Sequence, residues 1–210
     1  MKLTKNAHGK KKPKRTNRNI FAICGVLLLV ALVSIGYLFS QKNGTNPTSG
    51  LDAFAAHYLT IMKTLNSSQC KSEMLSELGG NYNFTELFSW EHSKLVFESD
   101  PAGWFEDPFE ILSSGKGICV QFSIVYVAAC LALGIQSRLV VATDITNWTF
   151  IHVWCEVYFN GVWVHVDPSD QVWNQPLRYL SWDWGKYIGQ SVRIYAFEDG
   201  KFDDVTPTYS

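Results

Sequence analysis

The sequence predicts an α+β fold preceded by one transmembrane helix. Two observations lead there. Helical periodicity dominates up to about residue 133, and strand alternation with two Asx-Gly turn dipeptides dominates after it, which is the order of an α+β domain. Ahead of both, Ile20–Phe39 runs for 20 residues without a charge behind a basic head. The expected core places a cysteine at a helix N-terminus and packs that helix on an antiparallel sheet.

Taken in order, residues 1–19 form a basic head expected in the cytoplasm. Eight Lys/Arg precede the apolar run and Lys42 follows it. A 20-residue helix spans a hydrocarbon core of roughly 30 Å. The positive-inside bias puts the N-terminus in the cytoplasm and the remainder of a single-pass protein outside. Residues 20–39 are therefore expected to be an uncleaved signal anchor in the lipid bilayer. The run exceeds a usual signal-peptide core, and no small-residue cleavage site follows it. Residues 40–50, rich in Gly, Pro, Ser and Thr, read as a linker. Asn43, Asn66, Asn83 and Asn147 each open an N-x-[ST] sequon, which suits an exported domain.

The formal charge of −1 conceals a split. Nine of the 18 Lys/Arg and none of the 19 acids lie in residues 1–42, leaving residues 43–210 with nine bases against 19 acids, a formal −10. Such a domain is poorly suited to phosphate backbones, so nucleic acid is not an expected partner.

Residues 51–107 read as the helical N-terminal part of the exported domain. Leu51, Phe54, Tyr58, Leu59, Met62 and Leu65 keep helical spacing, and Gly79-Gly80 and Asp100-Pro101 interrupt the stretch after them. Residues 108–210 read as the core. Asp107-Pro108 opens a short helix ending near Gly115. Val120, Ile124, Val127, Ala128 and Leu131 then form one stripe of a helix that Gly134 stops. Strands come next at Gln136–Thr143, His152–Phe159 and Val162–Asp167, the last two joined by Asn160-Gly161. A second hairpin, Ser191–Phe197 with Lys201–Val205, turns at Asp199-Gly200.

Three residues stand out chemically. Cys119 follows the Gly-rich turn GKGI at a helix start, where unpaired N–H groups and the helix dipole favour thiolate over thiol. His152 shares a strand face with Trp154 and Glu156, opposite the apolar Val153, Cys155 and Val157. Across the Asn160-Gly161 turn, position i pairs with 321 − i. His152 then lies opposite Ser169, next to Asp167 at the open end of the ribbon. Asp167 can accept from one imidazole nitrogen and leave the other to the thiol. His165 is a rival base, but it pairs with Glu156, farther from that end.

The ordered set GKGICVQFS…LALGIQSRLV, IHVWCEVY and WVHVDPS resembles the transglutaminase-like superfamily of papain-type Cys-His-Asp folds. HVWCEVY, W-x-x-VDPS, QPLRY, WGK, IYAFEDG and DVTPTYS are similar, in that order, to the peptide:N-glycanase branch. The resemblance covers about Pro108–Ser210. It implies Cys119 as nucleophile, His152 as general acid/base and Asp167 as its orienting residue. It implies a thiol enzyme forming a thioester from an amide, with hydrolysis favoured over cross-linking. The substrate would be a peptide, a glycoprotein or a cell-envelope amide. Trp154 and Trp184 are the candidate substrate contacts. The glycanases' paired C-x-x-C motifs are missing, so no zinc is expected, and no calcium loop or other cofactor motif is visible. The alternative is an inert transglutaminase-like binding module displayed at the cell surface.

Overall fold

The computed structural model describes residues 47–98 and 105–210, with side chains from Gly50 onward. The expected anchor at residues 20–39 lies outside the described residues. Among the described residues no helix is long and apolar enough to cross a membrane.

Helix α1 (Pro47–Leu65) begins inside the segment read as linker, with a proline as its first residue, where the fixed φ suits a helix start. Helix α2 (Ser68–Leu78) is capped by the Ser67 hydroxyl, which accepts from the Cys70 N–H, and is stopped by Gly79 in the left-handed region. Helix α3 (Glu86–Lys94) leads into β1 (Val96–Phe97), which pairs in parallel with β2 (Lys116–Gly117). Between them, α4 (Pro108–Ser114) carries the expected signals, Asp107 at the N-cap and Gly115 at the C-cap.

Helix α5 (Cys119–Ala132) is the axis of the domain. The sequence stripe suggests one buried face, but every residue from Cys119 to Cys130 is buried. The reason is that α1 to α4 cover the sides that the sheet does not. Six antiparallel strands complete the fold: β3 (Ser137–Asp144), β4 (Thr149–Phe159), β5 (Val162–Asp167), β6 (Val172–Trp173), β7 (Val192–Glu198) and β8 (Lys201–Asp204). They lie in the order β6-β5-β4-β3-β7-β8. The expected hairpin register holds, with Cys155 opposite Val166 and Glu156 opposite His165. Asn160 and Gly161 both take positive φ, 52° and 85°, as a two-residue turn of this hand needs.

Both faces of the sheet are buried. Leu139, Val141, Val153, Cys155 and Val157 pack under α5 in the main core. The opposite face, from which Trp154 was expected to meet substrate, holds a second core of Val140, Ala142, Trp154, Ile194 and Ala196. Its cover is the C-terminal segment, whose Tyr179 and Tyr209 are fully buried. Short 3₁₀ turns at Pro176–Ser181, Gly185–Tyr187 and Thr206–Thr208 fold it back over the sheet. That face also contains an ion pair, with Arg138 Nε donating to Glu156 Oε2 at 2.6 Å and the Tyr209 hydroxyl donating to Glu156 Oε1 at 2.7 Å.

Candidate active site

The start of α5 is held from both sides. The Oε1 of Gln121 accepts from the Ile118 N–H at 3.0 Å, and its Nε2 donates to the Phe105 carbonyl at 3.3 Å. Gln121 thus braces the turn on which Cys119 sits, and both ends of its amide are occupied. Gly117 is needed here because a Cβ at that position would lie 2.4 Å from Gln121 Cβ. One turn further on, the Ser123 hydroxyl donates to the Val153 carbonyl at 3.1 Å and the Cys155 thiol to the Ser123 carbonyl at 3.5 Å. These contacts register the helix against β4, and with it Cys119 against the beginning of that strand.

His152 follows a bulge in β4. Ala142 pairs with His152 but Thr143 pairs with Phe150, leaving Ile151 without an opposite residue. A bulge bends its strand and re-aims the neighbouring side chain. The imidazole Nε2 of His152 donates to Asp167 Oδ2 at 2.8 Å, and the Cys119 side chain is close enough to favour the protonated ring. The sequence-predicted trio of Cys119, His152 and Asp167 is therefore brought together, all three buried.

Asp167 is fully enclosed and its carboxylate is saturated with donors. Oδ2 accepts from His152, from the Tyr179 hydroxyl at 3.0 Å and from Arg178 Nη1 at 3.3 Å, while Oδ1 accepts from the Ser169 hydroxyl at 2.8 Å. Burial works against its ionisation, but the bonds and charge of His152, with Ser169 and Tyr179, prevail and hold its pKa at about 2. For His152, burial opposes the charged form. Hydrogen bonds and charges from Asp167 and Cys119 outweigh it and raise the pKa to about 9. An imidazolium bracketed by Asp167 and Cys119 is the state those surroundings favour at neutral pH.

The two tryptophans expected to contact substrate are placed differently. Trp154 is 0% exposed, packed against Tyr179 with ring centroids 4.5 Å apart and planes tilted by 37°, and its indole N–H donates to the Tyr209 hydroxyl at 2.9 Å. It is a core residue, because the face it shares with His152 is roofed by the C-terminal segment. Trp184 is half-buried and stacks on Tyr179 at 5.5 Å, behind the site. Trp182 was not singled out by its sequence context, yet its half-buried ring lies 5.1 Å from that of His152. His92 was missed as well. From α3 its Nε2 donates to the Pro168 carbonyl at 2.8 Å and pins the turn that follows Asp167. His165, the rival base, is buried beneath the site and bonded to Tyr179. Among the described residues no cluster of His, Cys, Asp and Glu could hold a metal ion.

Residues 74–168 match the family model for the transglutaminase-like superfamily. The core of this chain is transglutaminase-like. This core is also similar to curated enzymes named peptide-N(4)-(N-acetyl-beta-glucosaminyl)asparagine amidase, which supports its relation to the peptide:N-glycanase branch. Identity is 32% with the enzyme of Oryza sativa subsp. japonica, over 43% of this chain and 19% of that protein. It is 32% with that of Gallus gallus, over 50% and 15%, and 33% with that of Drosophila melanogaster, over 50% and 16%. The chain thus spans a fifth or less of the length of these relatives. The transglutaminase-like core also has a structural neighbour in Rad4-Rad23 crosslinked to an undamaged DNA. The TM-score is 0.55 at 14% identity, over 78% of this chain and 48% of that one. At that identity the likeness concerns the fold.

Proposed function

We propose that this chain is a cysteine-dependent hydrolase of amide bonds in which Cys119 is the nucleophile, His152 the acid/base and Asp167 the residue that orients His152. The observation that carries the reading is the 2.8 Å bond between His152 and Asp167, with Cys119 at the start of α5 near enough to favour the protonated imidazole. The resemblance to amidases supports amide chemistry.

In the proposed cycle the Cys119 sulfur attacks the amide carbon, forming the S–C bond. The backbone N–H of Cys119, at the first position of α5, stabilises the oxyanion; losing one such donor typically costs about 10²–10³ in rate. His152 gives its proton to the leaving nitrogen as the C–N bond breaks, and a thioester remains. His152 then takes a proton from water, whose oxygen bonds the carbonyl carbon. The S–C bond breaks, the acid leaves, and the proton taken from water stays with the Cys119–His152 pair, which is restored for the next cycle. Water is favoured over an amine as acceptor because no amine-binding motif is visible.

The substrate class we favour is the glycan-bearing side-chain amide of a glycopeptide, with peptides and cell-envelope amides as the other candidates. Trp182, beside His152, is positioned to meet the leaving group. The chain would be incubated with a glycopeptide, the same peptide without glycan, and an envelope peptide, and the products weighed. Conversion of the glycosylated Asn to Asp, absent in Cys119→Ala, is expected. Turnover of none of the three above the Cys119→Ala background would overturn the reading.

We further propose that residues 20–39 anchor the enzyme with its core outside the cytoplasmic membrane. Membrane association should survive alkaline carbonate and be lost when residues 20–39 are deleted. Protease added to intact cells should reach the core, and protection of the core until lysis would reverse the topology.

A further inference from the structure

The proposed chemistry uses one face of Asp167 and leaves the polar groups behind it unaccounted for. Tyr179 is fully buried among the rings of Trp154, Trp182 and Trp184, yet its hydroxyl is not idle: it donates to Asp167 Oδ2 at 3.0 Å. His165 stands behind Tyr179, with Nε2 2.8 Å from the Tyr179 hydroxyl oxygen. The protons along this path can be assigned. The backbone N–H of Gln175 donates to His165 Nδ1 at 3.3 Å, so Nδ1 is an acceptor. The one proton of a neutral ring is then on Nε2 and is given to Tyr179. Tyr179 in turn has its own proton free for Asp167, so every donor on the path points the same way.

We infer that His165 and Tyr179 form a one-way hydrogen-bond relay that fixes Asp167 as an oriented carboxylate, making both of them positioning residues for His152. The inference rests on the role proposed for Asp167. The surroundings keep the relay in that state. Burial, with the charges of Arg178 and His152, outweighs the pull of Asp167 and lowers the pKa of His165 to about 4, so the ring is neutral and keeps its acceptor nitrogen. Arg178 also reaches Asp167, but at 3.3 Å, while it holds Asp170 at 2.6 Å at the surface. Tyr179 is the donor shielded from solvent. Its backbone is pressed by Gly185, where a Cβ would fall 2.0 Å from the Tyr179 carbonyl oxygen. Glycine at 185 thus lets the next turn close over the residue that holds Asp167.

The relay is tested on the full chain through the rate of Cys119 alkylation by iodoacetamide from pH 3 to 10, with Cys119→Ser as blank. The variants are Tyr179→Phe, His165→Leu, His165→Gln and His152→Ala. Tyr126→Phe is the control, because that buried hydroxyl bonds the Phe84 carbonyl, away from the site. Melting temperature is recorded for each. Loss of the Tyr179 donor should make Asp167 easier to protonate. The His152-dependent rate at pH 3 should then fall to about half its wild-type value, as a one-unit rise from about 2 requires. His165→Leu should do the same, and His165→Gln, which keeps an N–H donor, should recover much of the wild-type profile. Should Tyr179→Phe fail to fold, the two His165 variants carry the comparison. A Tyr179→Phe profile that superimposes on wild type, or an equal shift in Tyr126→Phe, overturns the relay and leaves the Cys119–His152 pairing intact. Rates in wild type and His152→Ala that coincide at every pH overturn the pairing, and the relay with it.

Discussion

His152 and Asp167 are 15 residues apart and meet at 2.8 Å because the β4–β5 hairpin folds at Asn160-Gly161 and the bulge at Ile151 turns the imidazole toward the hairpin's open end. The carboxylate it meets is held by three further side-chain donors, so the imidazole has one preferred orientation. Orientation of this kind is what a third member contributes to a nucleophile–base pair.

Asp167→Asn keeps the shape of the side chain but removes its charge. Steady-state hydrolysis should fall by at least about 10²-fold. Urea unfolding should show a loss of about 1–3 kcal/mol, since the buried donors lose their charged acceptor.

The pH dependence follows from the two shifts. His152 has its pKa raised, so its pairing stabilises the fold fully below about 6.5, the unfolded value, and is lost as pH rises through about 9. Asp167 has its pKa lowered, so its contribution is present above about 3.8 and is lost as pH falls toward about 2. Melting temperature should therefore drop between pH 7 and 10 in wild type, and by less in His152→Ala. Turnover should fall above about pH 9, where His152 no longer carries the proton for the leaving amine.

Glu91 is fully buried on α3 and neither carboxyl oxygen has a hydrogen-bond partner within the described residues. Burial pushes its pKa well above the usual carboxylate range. The neutral acid is the folded form, so raising pH above about 4.5 costs stability. Glu91→Met should stabilise the domain by about 1–3 kcal/mol, with a larger gain at pH 8 than at pH 5, read from denaturant midpoints.

Glu156 neutralises Arg138, which is buried between the sheet and the C-terminal segment and stacks on Trp163 at 4.0 Å. Glu156→Ala leaves that guanidinium without its closest carboxylate and should cost about 3–5 kcal/mol in chemical denaturation. The loss should exceed that of Lys94→Ala, whose partner Glu77 sits at the surface.

Gly117→Ala tests the brace under the nucleophile. The added methyl meets Gln121 Cβ at 2.4 Å and must displace it or the turn. Turnover should fall at least tenfold, with a smaller proportional change in global stability.

The sequence carried a good part of this. Asn160-Gly161 sets the hairpin register, since only a tight turn places two positive φ values together, and that register puts His152 beside Asp167. Gly134 and Gly115 end their helices for the same reason. The second roof over the sheet was not legible. The stretch QPLRYLSWDWGK has no period of 2 or 3.6, so nothing in it announces that Tyr179 will cover Trp154. The alternation of β4 correctly separated His152, Trp154 and Glu156 from Val153 and Cys155. It could not say that the His152 face would also be buried, which is why Trp154 read as a cleft residue. Glu91 was hidden by the reverse problem, because a carboxylate on a polar-looking helix gives no sign of burial. His165 and Tyr179 pair through a fold of the chain that no local spacing encodes.

The most direct measurement is the rate of Cys119 alkylation at pH 5 to 7 in the full chain and in His152→Ala, both checked for folding by near-ultraviolet circular dichroism. If Cys119 is a nucleophile paired with His152, wild type labels at least tenfold faster than His152→Ala across that range. Equal rates in two folded proteins would contradict the pairing and the enzyme built on it.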